Sequence, residues 1–148
     1  MTDYAAEVRQ NIARHGFHVT YVACDDSPSF CYSTGIFETF AIPELFISSL
    51  PPNLSHELIG QYVQRHVDTG PVVNERIAAN DERFDYFLIS VPTELLKDYV
   101  LATNRYYDGR AFEYLQLIYP DASLRFPYEA GYDYDQEIIG VFPPLDHV

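Results

Sequence analysis

At 148 residues, with 47% apolar and 21% charged side chains, the chain fits one folded domain able to bury roughly 70% of the surface its unfolded form exposes. Its 22 acidic residues outweigh 9 basic ones for a formal net charge of -13, and Lys97 is the single lysine among the nine. Counterion release from phosphates needs clustered cations, so nucleic acid is excluded as an expected partner, and the absence of an apolar run of about 18 residues excludes a membrane-spanning helix.

The amino terminus is polar and amphipathic, unlike the basic-then-apolar order of a signal peptide, and a soluble cytoplasmic protein is expected. Tyr4, Val8, Ile12 and His15 recur at helical spacing, with Thr2 or Asp3 as cap and Gly16 as stop. Phe17 to Cys24 then switches to period two. Asp25, Asp26, Ser27 and Pro28 are turn chemistry, which makes FCYST the antiparallel hairpin partner of that strand. Beyond Gly35, the connection IFETFAIP leads to a strand ELFISSL, with Pro43 at its start because proline has no ladder donor.

Pro51, Pro52 and Asn53 open a second helix carrying Leu54, Leu58, Ile59, Tyr62 and His66 and ending at Gly70. Val72 to Glu82 reads as a loop or short edge strand, and RFDYFLISV as a strand. Pro92 and Thr93 open a third helix whose stripe of Leu95, Tyr99, Ala102 and Tyr106 is expected to face the core, and Asp108-Gly109 closes it. FEYLQLIY is the next strand, followed by a long tail of turns with a short apolar run at Ile138 to Phe142. The expected fold class is therefore α+β: one domain over residues 1–148, a largely antiparallel sheet from segments near 17–24, 29–35, 44–50, 84–91 and 112–119, and three packed helices, with a split-barrel shape as a related expectation.

Catalytic signals are missing. The histidines at 15, 18, 56, 66 and 147 show no HxH or HExxH spacing, and no GxSxG, GxGxxG or GxxxxGK is present. Cys24 and Cys31 read as reduced core thiols. No catalytic residue is assigned, and the protein is expected to purify without a bound metal or flavin cofactor. Thr34, Ser48, Ser49 and Gln116 lie in apolar strands, where polar groups either find hydrogen bonds or line a pocket. In the tail, Tyr119, Phe126, Tyr128, Tyr132 and Tyr134 alternate with Asp121, Glu129, Asp133, Asp135 and Glu137, a mixture of contact area and negative charge that suits a basic partner.

The order Tyr32-Ser33-Thr34-Gly35-Ile36, then Pro43-Glu44-Leu45, then Leu115 to Asp121, then Phe126-Pro127-Tyr128-Glu129 and Gln136 resembles the bacterial domain-of-unknown-function 4262 family. That family typically shows a YTxGL-like segment, a PEL segment, and a late Q-x-x-W-P-D followed by F-P-W-E. The resemblance runs from about Gly16 to Gly140, with Tyr119 and Tyr128 where the family usually has tryptophan. It implies a fold and a bacterial cytoplasmic setting, and supplies no catalytic residues. The candidate binding residues are Tyr32, Thr34, Glu44, Gln116, Asp121, Tyr128, Glu129, Tyr132, Asp133 and Asp135. Two functions fit: a non-enzymatic partner-binding module, such as an immunity or antitoxin protein that neutralises a basic toxin, or a small-molecule or flavin-type cofactor-binding protein.

Overall fold

The computed structural model describes residues 3–80 and 82–142, so Thr2 and His147 lie outside the described residues. Helix α1, Tyr4–His15, opens on Asp3, whose carboxylate accepts from the Ala5 N–H at 3.1 Å. It closes on Gly16 at φ 92°, a left-handed conformation in which a side chain is strained, and the Gly16 N–H reaches the Ile12 carbonyl at 2.8 Å. Strands β1 (His18–Val22) and β2 (Phe30–Thr34) form the expected hairpin, with His18 opposite Thr34 and Val22 opposite Phe30. A short helix α2, Ile36–Phe40, occupies the stretch expected to be a plain connection. Strand β3 (Glu44–Ser48) pairs antiparallel with β2, and helix α3 (Pro52–His66) follows.

The two-residue edge strand β4 (Arg76–Ile77) pairs with β5 (Tyr86–Val91), and the chain returns through helix α4 (Leu101–Tyr107) to β6 (Tyr114–Ile118). The six strands lie in the order β1-β2-β3-β6-β5-β4. The fold is thus the expected α+β class, with two refinements. β6 enters the middle of the sheet and runs parallel to β3, Glu44 opposite Tyr114 and Phe46 opposite Gln116, so one central pairing is not antiparallel. The sheet is open, with β1 and β4 as its edges, rather than closed into a split barrel.

The third helix differs most from expectation. It splits into a 3-10 turn at Thr93–Leu96 and α4, with Val100 between them at φ -95°, ψ 58°. The buried residues are Leu96, Val100, Thr103 and Tyr107, the expected spacing displaced by one position, while Leu95 is 49% exposed. The spacing is the expected one and only its phase differs, so that Leu96 and Val100 point at the sheet.

Both faces of the sheet are covered, which is why β2, β3 and β6 read as nearly continuous apolar runs. On one face Cys31, Leu45, Ile47, Leu88, Leu115 and Leu117 pack beneath Leu58, Ile59 and Tyr62 of α3. On the other, Phe30, Tyr32, Phe46 and Tyr114 meet Leu96 and Val100, and farther along Phe87, Ile89 and Ile118 meet Phe126 and Phe142 of the tail. Burying each such side chain contributes about 1.5–3 kcal/mol. Both cysteines are free, and burial pushes the Cys31 thiol up to about 12, which leaves it unreactive at neutral pH.

The tail crosses this second face as a strap. Gln116 donates to the Glu137 carbonyl at 2.7 Å and accepts from the Ile139 N–H at 2.9 Å. Ser48 donates to the same carbonyl at 2.8 Å and accepts from the Glu137 N–H at 3.0 Å, while Ser49 donates to the Asp135 carbonyl at 2.9 Å. Ser48, Ser49 and Gln116, three of the polar residues in the apolar strands, therefore dock the strap. Gly140 lies so close to β5 that an added Cβ would stand 2.5 Å from the Ser90 carbonyl oxygen.

Candidate functional site

Helices α1 and α4 run side by side over the β1–β2 end of the sheet and leave a cleft of about 450 Å³ between them. The two helices contribute the same spacing. Tyr4, Ala5, Val8 and Arg9 come from α1, and Leu101, Ala102, Arg105 and Tyr106 from α4, so each presents one stripe at i, i+1, i+4 and i+5. Tyr32 of β2 and Arg110, just beyond α4, complete the lining. Ala102 and Tyr106, expected to be core, are cleft walls.

Each wall is positioned by hydrogen bonds to tyrosine hydroxyls. The Tyr32 hydroxyl accepts from the Ala102 N–H at 3.1 Å, which ties the start of α4 to the sheet. Behind it Thr34, Thr103 and Tyr114 join their hydroxyls, at 2.7 Å between the threonines and 2.8 Å from Thr103 to Tyr114. The Tyr4 hydroxyl stands 2.7 Å from both His18 Nε2 and Thr20 Oγ1. With Asn11 Nδ2 placed 2.8 Å from His18 Nδ1, that nitrogen accepts, Nε2 carries the proton toward Tyr4, and Tyr4 donates to Thr20. Burial holds the His18 pKa below its usual value, so this neutral tautomer persists at pH 7.

Arg110 is held differently. Its guanidinium pairs with Glu38 at 2.5 Å and lies over the rings of Tyr106 and Tyr107, 5.5 Å and 5.3 Å from their centroids. Tyr106 also donates its hydroxyl to Glu38. Those hydrogen bonds, first from Tyr106 and then from Arg110, hold the Glu38 carboxyl below its ordinary range. By contrast, among the described residues neither Arg9 nor Arg105 makes an ion pair or a side-chain hydrogen bond.

Beside the cleft lies a buried carboxylate. Glu44, 0% exposed, accepts from Ser33 Oγ at 2.7 Å, from the N–H groups of Gly35, Ile36 and Phe37 at 2.9, 3.0 and 3.1 Å, and from the Tyr107 hydroxyl at 2.5 Å. Burial outweighs the hydrogen bonds from Tyr107, Ser33, Phe37 and Gly35 and holds its pKa above the usual carboxylate range. Gly35 sits at φ 106°, where a Cβ would come within 2.8 Å of the Ile12 side chain, so the turn needs glycine. Glu44 joins β2, α2, β3 and α4 into one unit and has no exposed surface for a substrate.

Of the sequence-derived candidates, the structure brings Tyr32, Thr34 and Glu44 together, Tyr32 in the cleft and the other two behind it. The rest belong to the strap or its anchors. Gln116 is buried beneath it. Asp121, 4% exposed, accepts from the N–H groups of Ser123, Arg125 and Asp133 and from the Arg125 guanidinium. Burial works to raise its pKa, but these donors prevail and hold it below the usual carboxylate range. Tyr128 packs on Phe87, Phe126 and Phe142, and Glu129 closes a turn through its N–H to the Phe126 carbonyl at 2.9 Å. Tyr132 is half-buried, accepts from Gln136, and has its pKa pushed up to about 12 by burial. Asp133 and Asp135 point to solvent on either side of Tyr134, itself 45% exposed.

A broader groove of about 550 Å³ brings Glu7, His15, His18 and His56 to one side of α1. No group of three or more histidine, cysteine, aspartate or glutamate side chains among the described residues is arranged to hold a metal. No described helix is long and apolar enough to cross a membrane.

The family model for the domain of unknown function DUF4262 matches residues 11–133, most of the chain. The chain belongs to the DUF4262 family. No curated protein and no solved structure matches it. Within this DUF4262 domain, Arg105, Arg110, Tyr32 and the Glu44 clamp fall inside the matched stretch, whereas Tyr4 and Arg9 precede it. Arg9, Arg105 and Arg110 escape a reading of net charge, which counts cations without locating them. The available signal was spacing: Tyr106 lies one position beyond Arg105, as Arg9 does beyond Val8.

Proposed function

We propose that this DUF4262 domain is a binding module whose cleft between α1 and α4 takes a small anionic ligand with an apolar body. The observation that carries the reading is the placement of charge. In a chain of net charge -13, three of the nine cations line a single cleft, together with three tyrosines and exposed Leu101. Apolar walls with a few convergent charged groups are the general form of a small-molecule site, and about 450 Å³ is an ordinary size for one. The walls lower the local dielectric and strengthen the attraction of guanidinium for an anion.

Calorimetric titration of small aromatic anions against their neutral analogues tests this. The anions are expected to bind, and charge reversal of both free arginines, Arg9→Glu with Arg105→Glu, is expected to weaken binding by about a hundredfold, the loss of two charge-assisted contacts of about 1.5 kcal/mol each. Both residues are exposed, so stability should change by no more than about 0.5 kcal/mol per site. Neutral analogues binding as well as the anions would sink the reading.

A second reading, capture of a basic protein in the manner of an immunity protein or antitoxin, is favoured by the exposed Asp133, Tyr134 and Asp135 on the strap. Charge accelerates such encounters, and screening removes the gain as the Debye length falls from about 10 Å at 0.1 M salt to about 3 Å at 1 M. Asp133→Asn with Asp135→Asn is then expected to slow association with a basic partner isolated from the native host. An association rate indifferent to both salt and these changes eliminates this reading and leaves the cleft unaffected.

A further inference from the structure

We infer that the ligand of the α1/α4 cleft is a dianion, a phosphate monoester carried on an aromatic ring. The inference rests on the anion-binding reading above and narrows it to a ligand class. Its basis is the distribution of commitments among the lining residues. Arg110 is already answered by Glu38 and pinned over two tyrosine rings. Arg9 and Arg105, one from each helix, are free of ion pairs and side-chain hydrogen bonds among the described residues. The cleft therefore presents two uncompensated positive charges.

A carboxylate or a sulfate ester answers one of them. A phosphate monoester carries about -1.5 to -2 at pH 7 and three acceptor oxygens on one centre, enough for the planar forks of two guanidiniums. A dicarboxylate matches the charge but divides it between two carbon centres, whereas the phosphate gathers it on one and leaves the rest of the molecule apolar to meet Leu101. The body of the ligand follows from the tyrosines. The hydroxyl of Tyr4 is engaged with His18 and Thr20, that of Tyr32 accepts from Ala102, and that of Tyr106 donates to Glu38. With Tyr32 buried, what Tyr4 and Tyr106 offer a ligand is ring surface, which favours an aromatic body.

The test is calorimetric titration of the full chain with phenyl phosphate, phenyl sulfate and inorganic phosphate near pH 7.5, above the second phosphate pKa of about 6. Phenyl sulfate has the same shape with one charge fewer, and inorganic phosphate has the charge without the ring. Phenyl phosphate is expected to bind at least about tenfold more tightly than either, the equivalent of one charge-assisted hydrogen bond. Arg9→Gln or Arg105→Gln is expected to erase its advantage over the sulfate, while Arg83→Gln, which removes an exposed cation outside the cleft, preserves it. Equal affinity for phenyl phosphate and phenyl sulfate overturns the dianion and leaves anion binding standing. Equal affinity for phenyl phosphate and inorganic phosphate overturns the aromatic body. Binding of none of the three removes the anion-binding reading and this inference together.

Discussion

Replacing Glu44 by alanine is expected to cost about 3–5 kcal/mol of folding stability, because several buried donors are left unsatisfied at about 1–3 kcal/mol each. Five donors lose their acceptor at once: the N–H groups of Gly35, Ile36 and Phe37 and the hydroxyls of Ser33 and Tyr107. Ser33 accepts in turn from the Leu45 N–H, so the loss spreads from the β2–α2 turn into β3. Glu44→Gln keeps the volume but is expected to recover little, because whichever oxygen becomes NH2 faces at least one backbone N–H that cannot accept from it, Ile36 on one side or Gly35 and Phe37 on the other. Urea titration monitored by circular dichroism checks both variants. A midpoint for Glu44→Gln at the wild-type value would show that the carboxylate charge is dispensable and the clamp is a matter of shape.

Gly140→Ala is the second substitution expected to be severe. Its Cβ would meet the Ser90 carbonyl oxygen at 2.5 Å, Val91 Cγ2 at 3.1 Å and Ile89 Cδ1 at 3.2 Å, and the first of these is backbone in the sheet that cannot yield. The strap must lift instead, which withdraws the Ile139 N–H from Gln116 and Phe142 from the cluster around Phe87. Overpacking of this kind costs about 1–3 kcal/mol, and the lost burial of Phe142 brings the expected total to about 3–4 kcal/mol. For a chain of this length that lowers the melting temperature by roughly 6–16 °C. Hydrogen exchange locates the damage: amides of 136–142 should lose protection while those of β2 and β3 keep theirs. Unchanged protection across the strap would show that Gly140 is not where the two backbones meet.

The regular elements were legible because they depend on local periodicity. Alternation over Phe17–Cys24 and the turn residues Asp25 to Pro28 specify the β1–β2 hairpin, and the helical spacing with Asp3 and Gly16 specifies α1. Periodicity reports spacing more firmly than phase, so the stripe in the third helix was read at Leu95, Tyr99, Ala102 and Tyr106, one position from the residues that are buried. That displacement hid the cleft, since it assigned Ala102 and Tyr106 to the core. The parallel pairing of β3 with β6 left no local trace, because register between distant strands is set by the fold around them. Glu44 stood out in the Pro43-Glu44-Leu45 segment, but its five donors come from Ser33, the three residues from Gly35 to Phe37, and distant Tyr107, a convergence only the folded chain creates.

The central position of β6 orders the assembly of the protein in time. A nascent chain that has reached the end of β5 contains the residues of β1, β2 and β3 for one side of the sheet and of β4 and β5 for the other, but the strand that joins them has yet to be made. Until Tyr114–Ile118 is synthesised, β3 and β5 each expose an unpaired edge, and closing the gap brings together residues some 70 positions apart. Loop closure on that scale is slow and leaves apolar strand edges open to pairing with other chains meanwhile. The same edges reappear whenever β6 is displaced, so misassembly is expected to begin at the middle of this sheet rather than at its rims.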